Sequence, residues 1–165
     1  MVHQVILQKL PKTLEEMLHM EEAKLWKPEY TAALTVAALC LYPENKEESL
    51  KMLNFLKGPR PLSVYEQQFI RDRLMDGKDY IPRSYIKGAV PENNYQITAP
   101  YVIEVSESVY QPTEQGYLRF DMKSGGADSP RPLTVRNKPS SGQWFLWEQS
   151  LLAGIRIPVS QDEWA

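Results

Sequence analysis

Side chains that titrate near neutrality, or that act as soft nucleophiles, are few in this sequence: His3, His19 and Cys40. His3 falls in a segment, "MVHQVILQ", read as a frayed N-terminus. His19 shares a helical face with Glu15, Glu16 and Glu22 at i±3 and i±4 spacing. That pattern fits a solvated polar face, because metal ligation needs several donors converging on one point. Cys40 lies in the most apolar run of the chain and reads as an inert core thiol. No GxSxG elbow is present, and a single cysteine excludes an intramolecular disulfide or a cysteine-rich zinc site. Gly125-Gly126 in "KSGGADSP" lacks the spacing and the following Lys-Ser/Thr of a phosphate loop, so it reads as a hairpin loop. Glu104 interrupts the apolar "YVIEV". Strict alternation points it outward; burial would instead raise its pKa and make it a candidate acid or base.

Binding chemistry is better represented. In "SGQWFLWE" a regular strand would put Trp144 and Leu146 on one face, Phe145 and Trp147 on the other. Either the strand is covered on both sides or one aromatic pair anchors a partner. Tyr117, Arg119 and Arg136 interleave with these tryptophans in the way small barrels stack single-stranded bases. From Glu92 onward, however, six Lys/Arg face nine Asp/Glu, so phosphate neutralisation is weak and nucleic acid is disfavoured. Trp164 in "SQDEWA" is expected to fold back into a groove on its own chain, or else to enter another subunit or partner.

The elements that must position these residues are signposted. The 165 residues are 42% hydrophobic and 24% charged with net charge −2, the profile of a folded globular chain without a basic field. "TLEE", "NKEE" and "SVYE" are N-terminal caps at Thr13, Asn45 and Ser63, and Pro28 suits a first helical position. With stops at Pro43, Gly58-Pro59 and Gly77, these predict helices over 13–24, 28–42, 46–57 and 64–76. The second is apolar nearly all round and should be central. Its core run, "TAALTVAALCLY", is about 12 residues where a membrane span needs roughly 20. With no signal-peptide pattern at the start, a cytoplasmic location is expected.

"KDYIPRSYIKGAVPENNYQITAP" carries three prolines without helical period, and predicts an ordered connector. Beyond it the period becomes two: "YVIEV", "YLRFDM", "PLTVR", "QWFLW" and "IRIPV" predict five strands. Their spacing, with "SLLAG" as a short turn before the last, resembles an SH3-like small β-barrel in order of elements only.

The run "RPLTVRNKPSSGQWFLWEQSLLAGIRIPVSQDEWA", extending back through "PENNYQITAPYVIEV" to "KPEYTAAL", resembles an uncharacterised bacterial family of unknown function from Gram-positive anaerobes. The resemblance implies a bacterial setting and supplies no activity, cofactor or catalytic residue.

The sequence therefore predicts an α+β protein. A four-helix unit (1–78) and an ordered connector (79–98) would pack on a five-strand SH3-like barrel (99–165). The expected function is a non-enzymatic protein-interaction module without cofactor or metal, its binding residues drawn from Trp144, Trp147, Trp164, Tyr117, Arg119 and Arg136. Its partner would be another protein, with a homo-oligomer possible and no membrane contact. The alternative is a small-molecule-binding protein or hydrolase whose pocket, between helices and barrel, uses Tyr80, Tyr85 and Glu104.

Overall fold

A computed structural model describes residues 1–165. Four helices and a curled, five-stranded antiparallel half-barrel make up the fold. Helix α1 (Leu14–Leu18) starts where Thr13 Oγ1 accepts the Glu16 N–H at 3.1 Å. It stops sooner than expected because His19 turns back, its Nδ1 2.7 Å from the Glu15 carbonyl oxygen. Glu21–Lys24 follows as a separate 3₁₀ turn, ended by Leu25 at φ 60°. Helices α2 (Pro28–Leu41), α3 (Lys46–Lys57) and α4 (Val64–Leu74) lie close to their expected spans. Only α4 has a full capping box, in which Ser63 and Glu66 satisfy each other's backbone N–H.

Every residue of α2 from Thr31 to Leu39 is buried. The helix lies against α3 and against four strands of the sheet, inside its curl. The strands run β1 (Val2–Leu7), β2 (Tyr101–Glu107), β3 (Tyr117–Met122), β4 (Arg131–Lys138) and β5 (Gln143–Gln149), paired in that order.

Two expectations fail here. The first residues are not frayed: Val2–Leu7 pairs with β2 along its whole length and buries Val5 and Leu7. Nor does "IRIPV" form a strand. Arg156 N–H bonds the Gly126 carbonyl, Pro158 has no N–H to give a ladder, and Val159–Gln161 closes as a 3₁₀ turn. The fifth strand thus comes from the opposite end of the chain, and the sheet joins residues on both sides of the expected helical boundary.

Residues 79–98 carry 3₁₀ turns at Pro82–Tyr85 and Pro91–Asn93. Their tyrosines are bonded inward: Tyr85 donates to the Leu151 carbonyl and Tyr95 to that of Arg156, while Tyr80 stacks on Tyr95 at 5.2 Å.

β1 and β5 do not pair with one another, so β5 has an outer edge to cover. The helical half covers it. Trp144 N–H donates to the Leu25 carbonyl at 2.9 Å, and Thr31 Oγ1 donates to the Trp144 carbonyl at 2.6 Å. Gly58, at φ 65°, brings the end of α3 so near that an added Cβ would stand 2.4 Å from the Phe145 ring.

Gly58→Ala combines backbone strain with overpacking and should cost about 3 kcal/mol in urea unfolding. Gly88 also has positive φ but open space around it, so Gly88→Ala should cost about 1 kcal/mol. Equal losses at the two positions would show that the Phe145 contact adds nothing.

Candidate functional site

Strand β5 is not regular, and this resolves the puzzle of its two apolar faces. Val135 pairs with Leu146 while the next residue, Thr134, pairs with Glu148, so Trp147 is an extra residue in a β-bulge. Leu146 enters the core, whereas Trp147 stays half-buried on the outside. A bulge leaves its extra residue out of the ladder. Lys57, at the end of α3, compensates: its Nζ donates to the Trp147 carbonyl at 2.9 Å.

The Lys57 side chain is only 5% exposed, and its ammonium is paired with Glu66 at 3.0 Å. Partial burial of Glu66 opposes its ionisation. The Ser63 N–H and the Lys57 ammonium outweigh it and hold the carboxyl below its ordinary range. The bulge that projects Trp147 is thus pinned by a chain of contacts reaching the start of α4.

Around the projected indole the structure gathers cations and a second ring. The Arg60 and Arg136 guanidinium carbons lie 4.8 and 5.0 Å from the Trp147 ring centroid. Arg136 is also 5.0 Å from Tyr117, whose ring meets Trp147 edge-on at 5.3 Å. Arg60, Arg136 and Trp147 border a groove of about 350 Å³ that includes Lys57, Lys138 and Phe145 and contains no acidic side chain, while Tyr117 lines the neighbouring cleft. Arg60, Arg136 and Lys138 enter no ion pair, in contrast to Lys57. A guanidinium stacked on an aromatic ring keeps its N–H edge free, which suits it to a carboxylate.

With this geometry in place the chain can be classed. It belongs to the DUF6935 family, a domain of unknown function, matched over residues 9–159. No curated protein and no solved structure matches it. The Trp147 groove lies wholly within the DUF6935 residues, and Trp164 lies outside them.

The remaining sequence candidates disperse. Trp144 packs on the core and bonds the helical half through its backbone. Arg119 lines a separate cleft on the other side of Trp147, beside Tyr110, Glu114 and Glu148. Trp164, expected to fold back, is instead 90% exposed. Tyr80 and Tyr85 are buried, and Tyr85 shares only a small cavity of about 170 Å³ with Glu104. Glu104 is half-buried, with Lys87 and Lys123 at 3.9 and 4.0 Å. Burial pushes the Cys40 thiol up to about 12, so it stays protonated at neutral pH. No helix is long and apolar enough to cross a membrane.

Sequence reasoning missed Arg60, Lys57, Lys138 and Phe145 as parts of one site. One signal was available: in "KGPRP" a cation stands between two prolines, which hold it out on a stiff loop.

If the cations are not structural, Arg60→Ala and Arg136→Ala should each cost no more than about 1 kcal/mol of stability, the size of an exposed cation–π contact. Thermal melts would read this, and a larger loss would make them parts of the scaffold. Glu66 gives a second test. A carboxyl with a lowered folded pKa stabilises above its unfolded value, about 4.3, and loses that contribution as pH falls through the folded one. The urea midpoint of Glu66→Gln should therefore fall less between pH 7 and pH 3 than that of the parent. Parallel declines would remove Glu66 from the acid-sensitive set.

Proposed function

We propose that this DUF6935 chain is a non-enzymatic interaction module in a bacterial cytoplasm. The Trp147 groove, on the outer side of an SH3-like curled sheet, would take an acidic segment of a partner protein. The observation that carries this reading is the gathering of Arg60, Arg136 and Lys138, none paired with an acid, around one projected tryptophan. Unpaired cations in a catalytically bare groove favour recognition over turnover, and the stacked indole adds apolar contact that phosphate neutralisation alone does not use.

Protein fits the groove better than a nucleic acid. Glu66 adjoins it, and Glu114 and Glu148 lie just across Trp147, so a polyanion continuing past the groove would meet like charge. A short segment with a few carboxylates and an apolar side chain would not. The alternative of a small-molecule pocket between helices and sheet has less support, because Tyr85 is consumed in an internal hydrogen bond and Tyr80 is buried in its stack on Tyr95.

Titration of the chain with a panel of short acidic peptides, followed by calorimetry and by chemical-shift mapping, tests the reading. Acidic peptides with an aromatic residue should bind, weaken as salt rises, and lose about tenfold or more in affinity to Arg60→Ala with Arg136→Ala. Perturbed resonances should centre on Trp147. Binding equal in parent and double variant, or no binding by any acidic peptide, would sink the proposal. Tighter binding of single-stranded DNA than of every peptide would move the groove to nucleic acid.

A further inference from the structure

Resting on the reading of the groove as an acidic-segment site, we propose that one occupant is the Asp162–Trp164 segment of a second copy of this chain.

The segment has the required chemistry. Asp162 and Glu163 take part in no ion pair, and Trp164 is the most exposed of the large apolar side chains. It is also presented rather than loose. Trp164 N–H donates to Asp162 Oδ1 at 2.9 Å, and Ala165 N–H to the Asp162 carbonyl at 3.2 Å, so the indole stands on a closed turn. The base of the turn is fastened: Ser160 N–H to Asn94 Oδ1 and Gln161 Nε2 to the Gly77 carbonyl, each at 3.1 Å. A bulky indole held out in water beside two carboxylates that pair with no cation matches a groove that offers a ring, an apolar wall and three cations without an ion pair.

The segment does not occupy its own groove: Trp164 is 90% exposed, and no residue after Trp147 lines the groove. Its anchor at Gly77 lies past the C-terminal end of α4, whereas Glu66 meets Lys57 near the N-terminal end. At 1.5 Å per residue, α4 puts about 12 Å between Glu66 and Leu74. A second copy can offer its segment to the groove without spanning that separation. Groove and segment are different surfaces, so the contact is head-to-tail: it leaves one free site at each end and builds short chains or closed rings.

Sedimentation with two complementary variants tests this. One carries Arg60→Glu and Arg136→Glu, keeping the segment and losing the groove. The other carries Asp162→Lys, Glu163→Lys and Trp164→Ala, keeping the groove and losing the segment. The parent should associate with rising concentration, and each variant should raise the dissociation constant about tenfold or more. Their equimolar mixture should form a one-to-one pair, since one intact interface remains. A free peptide of sequence SQDEWA should dissolve the parent assembly, which does not depend on how the variants fold.

A parent that stays monomeric at every attainable concentration overturns the inference, as does association that both variants retain. If acidic peptides still bind the groove of a monomeric parent, the groove reading stands and only the homotypic occupant falls. If neither peptide nor second copy binds, both fall together.

Discussion

A helix buried on every side dictates the rest of this molecule. From Thr31 to Leu39, α2 has no face to give to water, so other elements must sheathe it completely. The curled sheet encloses it on one side, while α3 and the 3₁₀ segments close the other. Its alanines at 32, 33, 37 and 38 let those neighbours come close. Three hydroxyls in this environment are bonded to backbone carbonyls: Thr35 to Thr31 within the helix, Thr31 to Trp144, and Ser49 of α3 to Ala38. Two of these bonds are ties between layers, joining α2 to β5 and α3 to α2, while the buried Tyr42 hydroxyl has no partner.

One of those ties explains how an open sheet remains stable. A half-barrel has two edges, and an uncovered edge invites pairing with another chain. Along β5 the covering atoms come from three places in the helical half: the Leu25 carbonyl, the Thr31 hydroxyl and the Lys57 ammonium. Lys57 is itself held by Glu66, whose other oxygen caps α4 through the Ser63 N–H at 3.0 Å. A single carboxylate therefore links the start of a helix to the bulge that projects Trp147. Structure and surface chemistry are coupled through it.

Local grammar was readable where the physics is local. The caps at Thr13, Asn45 and Ser63 and the stop at Gly58 each depend on atoms a few residues apart, and all accept or end as the residues imply. The reciprocal half of two boxes was not readable: Glu16 is drawn to Lys9, and Glu48 to the Leu14 N–H and Lys51. Strand β1 was obscured because Val2 and Ile6 point outward and blur the alternation that Val5 and Leu7 carry inward. "IRIPV" carries the opposite lesson, since a true alternation at Ile155 and Ile157 yields to an absent N–H at Pro158. Of the aromatic and basic set, Tyr117, Arg136 and Trp147 do meet. Arg60 was signalled only as a cation held between two prolines; its proximity to Trp147 is created by the fold of α3 against β5 and not by any sequence spacing.

The bulge also has a consequence for how such chains can differ in length. Strand β5 is fastened to the helical half at residue 144 and again at residue 147, by partners on two different elements. Between these fixed points an insertion or deletion would break one fastening or return Trp147 to the sheet. The turn at residues 139–142 has no such double attachment, since Ser141 and Gly142 bond only within the hairpin, to Lys138 and Gln143. The loop at 108–116, in contrast, is tied to β3 through Gln111 and to β4 through the Gly116 carbonyl. Relatives should therefore vary in length at that turn, and hold the count of residues constant from the first tryptophan of the strand to the second.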